Sequence, residues 1–303
     1  MKILLTGSTG MIGQSLVKRL GNTHTIVEFT RSKGMDITRL EDVEKAIHGV
    51  DIVIHAAAEL DEGKGEEAMR RTNVEGTRNL VTAAEEEGID QFIHVSTVGV
   101  YGETQGKITE TSEMNPRTAY ERTKKEAEAM VWNMQEVFPV TIIRPAIVVG
   151  PNTYWASIFK TIRKGFPLIG KGTHAWQMIQ IDDLVEFITL CVGNEETYNE
   201  AYLVAEKETH SLREVVNMIA DIQHTPRPGT IPTSMGIVLS HLFGIQGKLL
   251  GKKPLLTPPH VKRMLKHREY DITKALKTHW KPTHPTRKAL EKTFAQLTEK
   301  GLL

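Results

Sequence analysis

The chain has 303 residues, 40% of them apolar and 25% charged, which suits a soluble globular protein with one large core and a smaller attached lobe. Its formal net charge of +1 gives no electrostatic ground for a nucleic-acid or membrane partner. The single cysteine, Cys191, excludes an internal disulfide, fits a reducing compartment, and stands in an apolar run that reads as core.

Lys2 is followed by only three apolar residues, Ile3 to Leu5, before the chain turns polar at Thr6, so the start does not read as a signal peptide. No run approaches the roughly 18 apolar residues of a membrane span, and the expected location is cytoplasmic. Apolar runs predict strands at Lys2–Leu5, Thr25–Phe29, Ile52–His55, Phe92–Ser96, Thr141–Arg144 and Ala201–Val204. Helical patterns fall between them at Leu40–Ile47, Thr72–Glu87 and Tyr120–Val137. Strands alternating with helices predict a doubly wound α/β parallel sheet with both faces covered. It should occupy residues 1–150, with 176–206 returning to it. After Gly150, prolines, glycines and longer polar connections surround predicted helices at Ser211–Ile222 and near Pro259–Arg268. Segments 151–175 and 207–303 should form a small C-terminal lobe over the strand ends.

The first strand runs into a glycine turn, Thr6-Gly7-Ser-Thr-Gly10-Met-Ile-Gly13. Gly7 permits the turn, Gly10 lets backbone approach a pyrophosphate, and Gly13 lets a helix lie close on the strand. At the first strand–helix junction of an alternating pattern, this predicts a Rossmann dinucleotide site. The second strand ends Glu28-Phe-Thr-Arg-Ser-Lys33, with Thr30 where an acid would bond a ribose hydroxyl. Arg31 and Ser32 beside it suit a 2′-phosphate, so NADP(H) is favoured over NAD(H).

Tyr120 and Lys124 are one helical turn apart, and a nearby ammonium would lower the phenol pKa toward a working range. Tyr270 and Lys274 repeat the spacing without a preceding hydroxyl-bearing strand, and read as a surface helix start. The histidines and the lone cysteine form no ligand set, so no metal is expected. The basic stretch Lys262–Arg268 reads as a solvated helix face. The apolar segment Met235–Phe243 reads either as pocket lining or as lobe core.

Six motifs in order resemble the extended short-chain dehydrogenase/reductase family over essentially the whole chain: the glycine turn, Asp51–Ala58, Asn73–Asn79, Val95–Gly102, Tyr120-x-x-x-Lys124 and Arg144–Pro151. The resemblance implies an NAD(P)-dependent oxidoreductase passing hydride between nicotinamide and a carbonyl or secondary alcohol. Thr97, Tyr120 and Lys124 would be catalytic, with Tyr120 as proton donor or acceptor. Thr97 is set by counting back from Tyr101–Gly102, which leaves Ser96 one residue short. Cofactor contacts would extend over Gly7, Thr9, Gly10, Met11, Ile12, Gly13, Arg31, Ser32, Asp36, Ile37, Ala56, Ala57, Ala58, Tyr120, Lys124, Pro145 and Ile147. Asn73 would hold a central helix near the catalytic strand. Relatives commonly dimerise through the helices here at Thr72–Glu87 and Tyr120–Val137, so a homodimer is expected.

Departures from the family choose among substrates. Val98 and Gly99 replace the Asp-Glu pair of dehydratases. Ile147 stands where nucleotide-sugar enzymes place an asparagine, and Trp176 where they place an arginine before Asp182–Asp183. With the tail Lys253–Pro259, these favour a small apolar carbonyl substrate, as in dihydroflavonol reductases and 3β-hydroxysteroid dehydrogenases. A nucleotide-sugar epimerase or dTDP-4-dehydrorhamnose reductase is the alternative, suggested by the short Arg31–Asp36 link. An NADP-binding redox sensor or scaffold is a third reading.

Overall fold

A computed structural model describes residues 1–103, 106–250 and 257–303, with side chains at all of these except 245–250, 259 and 260. The apolar runs fold as β1 (Lys2–Thr6), β2 (Thr25–Phe29), β3 (Ile52–His55), β4 (Gln91–Val95) and β5 (Val140–Pro145). These are followed by β6 (Ile147–Val149), β7 (Leu168–Ile169), β8 (Met178–Gln180), β9 (Glu200–Val204) and β10 (Thr230–Ile231). Around the first five strands lie α1 (Met11–Leu20), α2 (Leu40–Ile47), α3 (Glu66–Arg70), α4 (Gly76–Glu87) and α5 (Ala119–Trp132). Later come α6 (Thr153–Arg163), α7 (Ile181–Cys191), α8 (Leu212–Ile222) and α9 (Thr233–Leu250). The last three helices are α10 (Pro258–Met264), α11 (Thr273–Lys277) and α12 (Thr286–Glu299).

Six strands form one parallel sheet in the order β2-β1-β3-β4-β5-β9. Successive residues of a strand face opposite ways. Ile3 and Leu5 therefore enter the core under α1 and α7, with Leu16, Leu20 and Phe187, while Leu4 enters the opposite core with Val43, Ile47 and Leu80. Covering both faces explains why these strands read as unbroken apolar runs. The chain order reverses between β2 and β3, opening a crevice at the carboxyl ends of β1 and β3. A third cluster packs α6, α8 and α12 around Trp155, Phe159, Ile219 and Leu290. Cys191 is fully buried. Among the described residues, no helix is long and apolar enough to cross a membrane.

Three sequence expectations change. The run Thr72–Glu87 is broken by a π turn over Arg71–Glu75, and α4 starts at Gly76, which packs tightly on Ile37. The helix from Tyr120 stops at Trp132, because Phe138 must turn back to stack on Phe92 in the core. Tyr270 is buried, not a surface helix start: its segment pairs beside Ile108, and α11 begins three residues later. The tail Lys253–Pro259 falls partly on 251–256, outside the described residues.

Candidate active site

All six strands point the same way, so their carboxyl ends share one edge, and the residues singled out from the sequence gather along it. After β1 the chain turns at Gly7, whose φ of 73° suits a residue without Cβ. A Cβ there would lie 2.8 Å from Ala57 N, and one on Gly13 would lie 2.1 Å from Gly7 O. α1 begins at Gly10 with no side-chain cap, so the amides of Met11, Ile12 and Gly13 have no side-chain acceptor. A close backbone cradle facing an uncapped helix N-terminus fits the pyrophosphate of a dinucleotide. Thr9 reaches to 3.4 Å from the Thr30 hydroxyl at the end of β2.

Arg31 and Ser32 occupy one 3₁₀ turn after β2. The Arg31 side chain is 58% exposed, 3.9 Å from the Asp36 carboxylate and 3.4 Å from the Thr72 hydroxyl. Asp36 accepts the backbone and hydroxyl donors of Thr38, whereas Ile37 is buried in the core. Ala56, Ala57 and Ala58 follow β3, Pro145 ends β5, and Ile147 opens β6.

Beneath this edge lies a chain of buried hydrogen bonds. Ala57 N donates to Thr6 Oγ1 at 3.1 Å, and Thr6 Oγ1 meets His55 Nδ1 at 2.7 Å. On the other side, His55 Nε2 meets Thr77 Oγ1 at 2.9 Å, and Thr77 donates to the Asn73 carbonyl at 2.6 Å. Since Thr77 spends its proton on Asn73, His55 donates from Nε2 and accepts at Nδ1. Burial, with the charge of Lys124 adding to it, holds the imidazole neutral, its pKa down to about 3. Asn73 also grips Glu59 through both backbone groups and donates to Thr123 on α5. It thereby ties the loop after β3 to the helix carrying Tyr120.

Thr97 caps the 3₁₀ turn that follows β4, its hydroxyl accepting from Gly99 N at 3.0 Å, and it stands close enough to the Tyr120 phenol to lower its pKa. Burial pushes that phenol up to about 12, while Thr97 and the charge of Arg263 act the other way. Lys124 is not the cation acting on it. The Lys124 ammonium is drawn under β4, donating to the Val95 carbonyl at 2.9 Å and lying 3.3 Å from His94 Nε2. Burial lowers the lysine to about 8, against the opposing charge of Glu128. Ser96 is buried and donates to Glu128 at 2.5 Å, so it supports the site from behind while Thr97 faces Tyr120. Glu128 is clamped by Arg144 at 2.6 Å, and Arg144 donates to Tyr101 OH at 2.6 Å. Glu128 was legible in principle, being at i+4 from Lys124 on the face that carries Tyr120.

A cavity of about 340 Å³, none of whose lining is Thr97, Tyr120 or Lys124, is walled largely by Ile158, Ile162, Leu168, Trp176, Leu212 and Ile219. Two cations line it, Arg263 and Arg268. Arg263 is exposed on α10, as expected of a solvated helix face, and pairs with Glu62, whereas Arg268 departs from that expectation at 9% exposed. Arg268 has its guanidinium 5.8 Å over the Trp176 ring and donates to the Lys266 and Arg263 carbonyls. Among the described residues it has no carboxylate partner, and burial lowers its pKa. It stands beside Trp176 because a single parallel β-bridge joins the two segments, which no local sequence signal announces.

The model of the NAD dependent epimerase/dehydratase family matches residues 3–205, and the chain belongs to that family. It is an NAD(P)-dependent enzyme. It is 30% identical to the UDP-glucose 4-epimerase of Vibrio cholerae, over 96% of this chain and 94% of the relative. It is 27% identical to the N-acetyl-alpha-D-glucosaminyl-diphospho-ditrans,octacis-undecaprenol 4-epimerase of Escherichia coli O157:H7, over 90% and 88%. The crystal structure of UDP-glucuronic acid 4-epimerase from Bacillus cereus with NAD superposes with a TM-score of 0.79 at 22% identity, covering 99% of each chain. At that identity the likeness is one of fold.

Proposed function

We propose that the protein oxidises and re-reduces a sugar carbinol of a diphosphate-linked sugar, the chemistry of a 4-epimerase. The observation that carries this is Arg268, a buried guanidinium without a carboxylate, set with Arg263 on the wall of the cavity. A buried charge of this kind is costly unless a ligand answers it, and a diphosphate can take two parallel N–H bonds from a guanidinium. Trp176 argued for an apolar carbonyl because it stands where an arginine would, yet Arg268 brings the cation to the same spot from another part of the chain. The epimerase relatives, matched over nearly the full chain, support the same reading.

A bound nicotinamide dinucleotide supplies the hydride acceptor and donor. The chain's own residues then handle position and protons. Gly7 to Gly13 hold the phosphates, and Thr97 fixes the substrate oxygen beside Tyr120. Tyr120 must first give up its phenol proton; as the phenolate it takes the carbinol proton on oxidation and, then a phenol, returns it on reduction, while Lys124 and the neutral His55 and His94 keep the floor of the site rigid and dry.

Purified protein incubated with cofactor and UDP-hexoses, polyprenyl diphosphate sugars or apolar ketones tests the proposal, with products read by NMR. The expected result is a C4 epimer, with its rate lowered about 10²- to 10⁴-fold in Tyr120→Phe while cofactor binding stays intact. Reduction of apolar ketones without sugar turnover would overturn it.

A further inference from the structure

The cavity beside Arg268 has a cationic end and an apolar body. Its two cations belong to one stretch of chain, with Arg268 donating to the Arg263 carbonyl at 2.7 Å. Arg263 already has Glu62 at 3.0 Å, so the uncompensated charge is that of Arg268. Most of the remaining wall comes from one face of α6, one face of α8 and β7, through Ile158 and Ile162, Val215 and Ile219, and Leu168 and Ile169.

Among the described lining residues there is no Asn, Gln, Asp, Glu or His. The amides of Leu168, Trp176 and Leu212 are spent on the carbonyls of Gly229, His210 and His174, and the Thr161 hydroxyl on that of Ser157. A heterocyclic base must replace the hydrogen bonds it gives up on leaving water, and this wall offers few. A hydrocarbon chain gives up none, and each methylene removed from water is worth roughly fourfold in affinity. The volume of about 340 Å³ falls within the roughly 300–1,000 Å³ of small-molecule sites.

Thr97, Tyr120 and Lys124 do not line the cavity, so it suits a part of the substrate that does not react. The cationic end connects it to them. Lys266, three residues beyond Arg263, bonds at 2.7 Å to Glu121, the neighbour of Tyr120 on α5. The charge of Arg263 also acts on the Tyr120 phenol. Cavity, cations and tyrosine thus follow one another.

We propose that the cavity takes the hydrocarbon chain of a lipid-linked sugar diphosphate, with Arg268 and Arg263 on the diphosphate and the sugar directed to Tyr120. This rests on the diphosphate reading of Arg268 given above and specifies what stands on the far side of that group. An apolar body and a cationic end answer the two parts of one amphiphile. A nucleoside diphosphate answers only the cations, and an apolar ketone only the wall.

Calorimetric binding to the protein saturated with reduced nicotinamide cofactor tests this, with farnesyl diphosphate, UDP and inorganic diphosphate as probes. Farnesyl diphosphate should bind at least roughly tenfold more tightly than either of the others. Ile158→Gln, at a half-buried position of the wall, should cost it at least roughly fivefold and leave inorganic diphosphate unchanged. Thr161→Phe, which fills the cavity from the surface side of α6, should do the same. Arg268→Met should weaken all three probes by at least roughly tenfold, which places chain and diphosphate in one site. UDP binding as tightly as farnesyl diphosphate would overturn this inference and leave the diphosphate reading standing. Binding of none of the probes would overturn both. Farnesyl diphosphate binding that ignores Ile158→Gln and Thr161→Phe would also overturn it, by putting the chain elsewhere.

Discussion

We propose that cofactor choice turns on Arg31. Thr30 removes the acid that would bond a ribose 2′-hydroxyl, and the Arg31 guanidinium stands exposed beside it, restrained among the described residues by Asp36 at 3.9 Å and Thr72 at 3.4 Å. A loosely held, exposed fork costs little to redirect toward a 2′-phosphate. Arg31→Ala should weaken NADPH about 10- to 100-fold, the worth of one or two charge-assisted hydrogen bonds, and leave NADH nearly unchanged. Fluorescence titration of both cofactors decides it, and an unaltered NADPH/NADH ratio would end the case for NADP. At this scale the sequence was informative about residue types and silent about partners. The Tyr120–Lys124 spacing is visible along one helix. What the Lys124 ammonium touches is not, since Val95 O and His94 arrive from a strand about thirty residues earlier.

Between elements, the helix carrying Tyr120 is fixed to the sheet by a buried ion pair. Glu128 of α5 accepts from Ser96 beyond β4 and from Arg144 of β5, with both charged side chains at most 7% exposed. Burial disfavours the Arg144 charge, and Glu128 more than restores it, so the guanidinium stays firmly protonated. Arg144→Met should cost about 3–5 kcal/mol, because Glu128 is left as an unanswered buried charge. Adding Glu128→Leu should recover much of that loss, leaving the Ser96 hydroxyl as the residual penalty. Denaturant unfolding measures both, and a double variant as unstable as the single one would refute the pairing argument. The strands were legible because a sheet covered on both faces demands apolar runs, and each predicted strand lies within one or two residues of its place. The helix at Thr72 was misjudged because its periodicity hides a π turn that exists to aim Asn73 at Glu59 and Thr123.

Over the whole molecule, the missing information was long-range. Arg268 reaches Trp176, and Glu206 reaches Thr286, across some eighty to ninety residues, and neither meeting leaves a local pattern. Glu206 joins the sheet to the last helix: its carboxyl accepts the Thr286 hydroxyl at the start of α12, and its backbone bonds Met178 O. Burial raises this carboxyl from 4.5 to about 7, against the bonds from Thr286. A carboxyl with a raised folded-state pKa binds its proton more tightly folded than unfolded. Its favourable contribution is therefore complete below about pH 4.5, declines as pH rises to about 7, and is lost above that. The shift corresponds to a penalty on the order of 3 kcal/mol at alkaline pH. Glu206→Gln keeps an acceptor for Thr286 and removes the ionisation. Its Tm should lie close to that of the parent near the acid end of this window and rise above it as pH climbs, levelling off beyond about pH 7. Calorimetry of both proteins across that range tests the link, and a Tm difference that does not vary with pH would show that Glu206 ionises freely where the sheet meets α12.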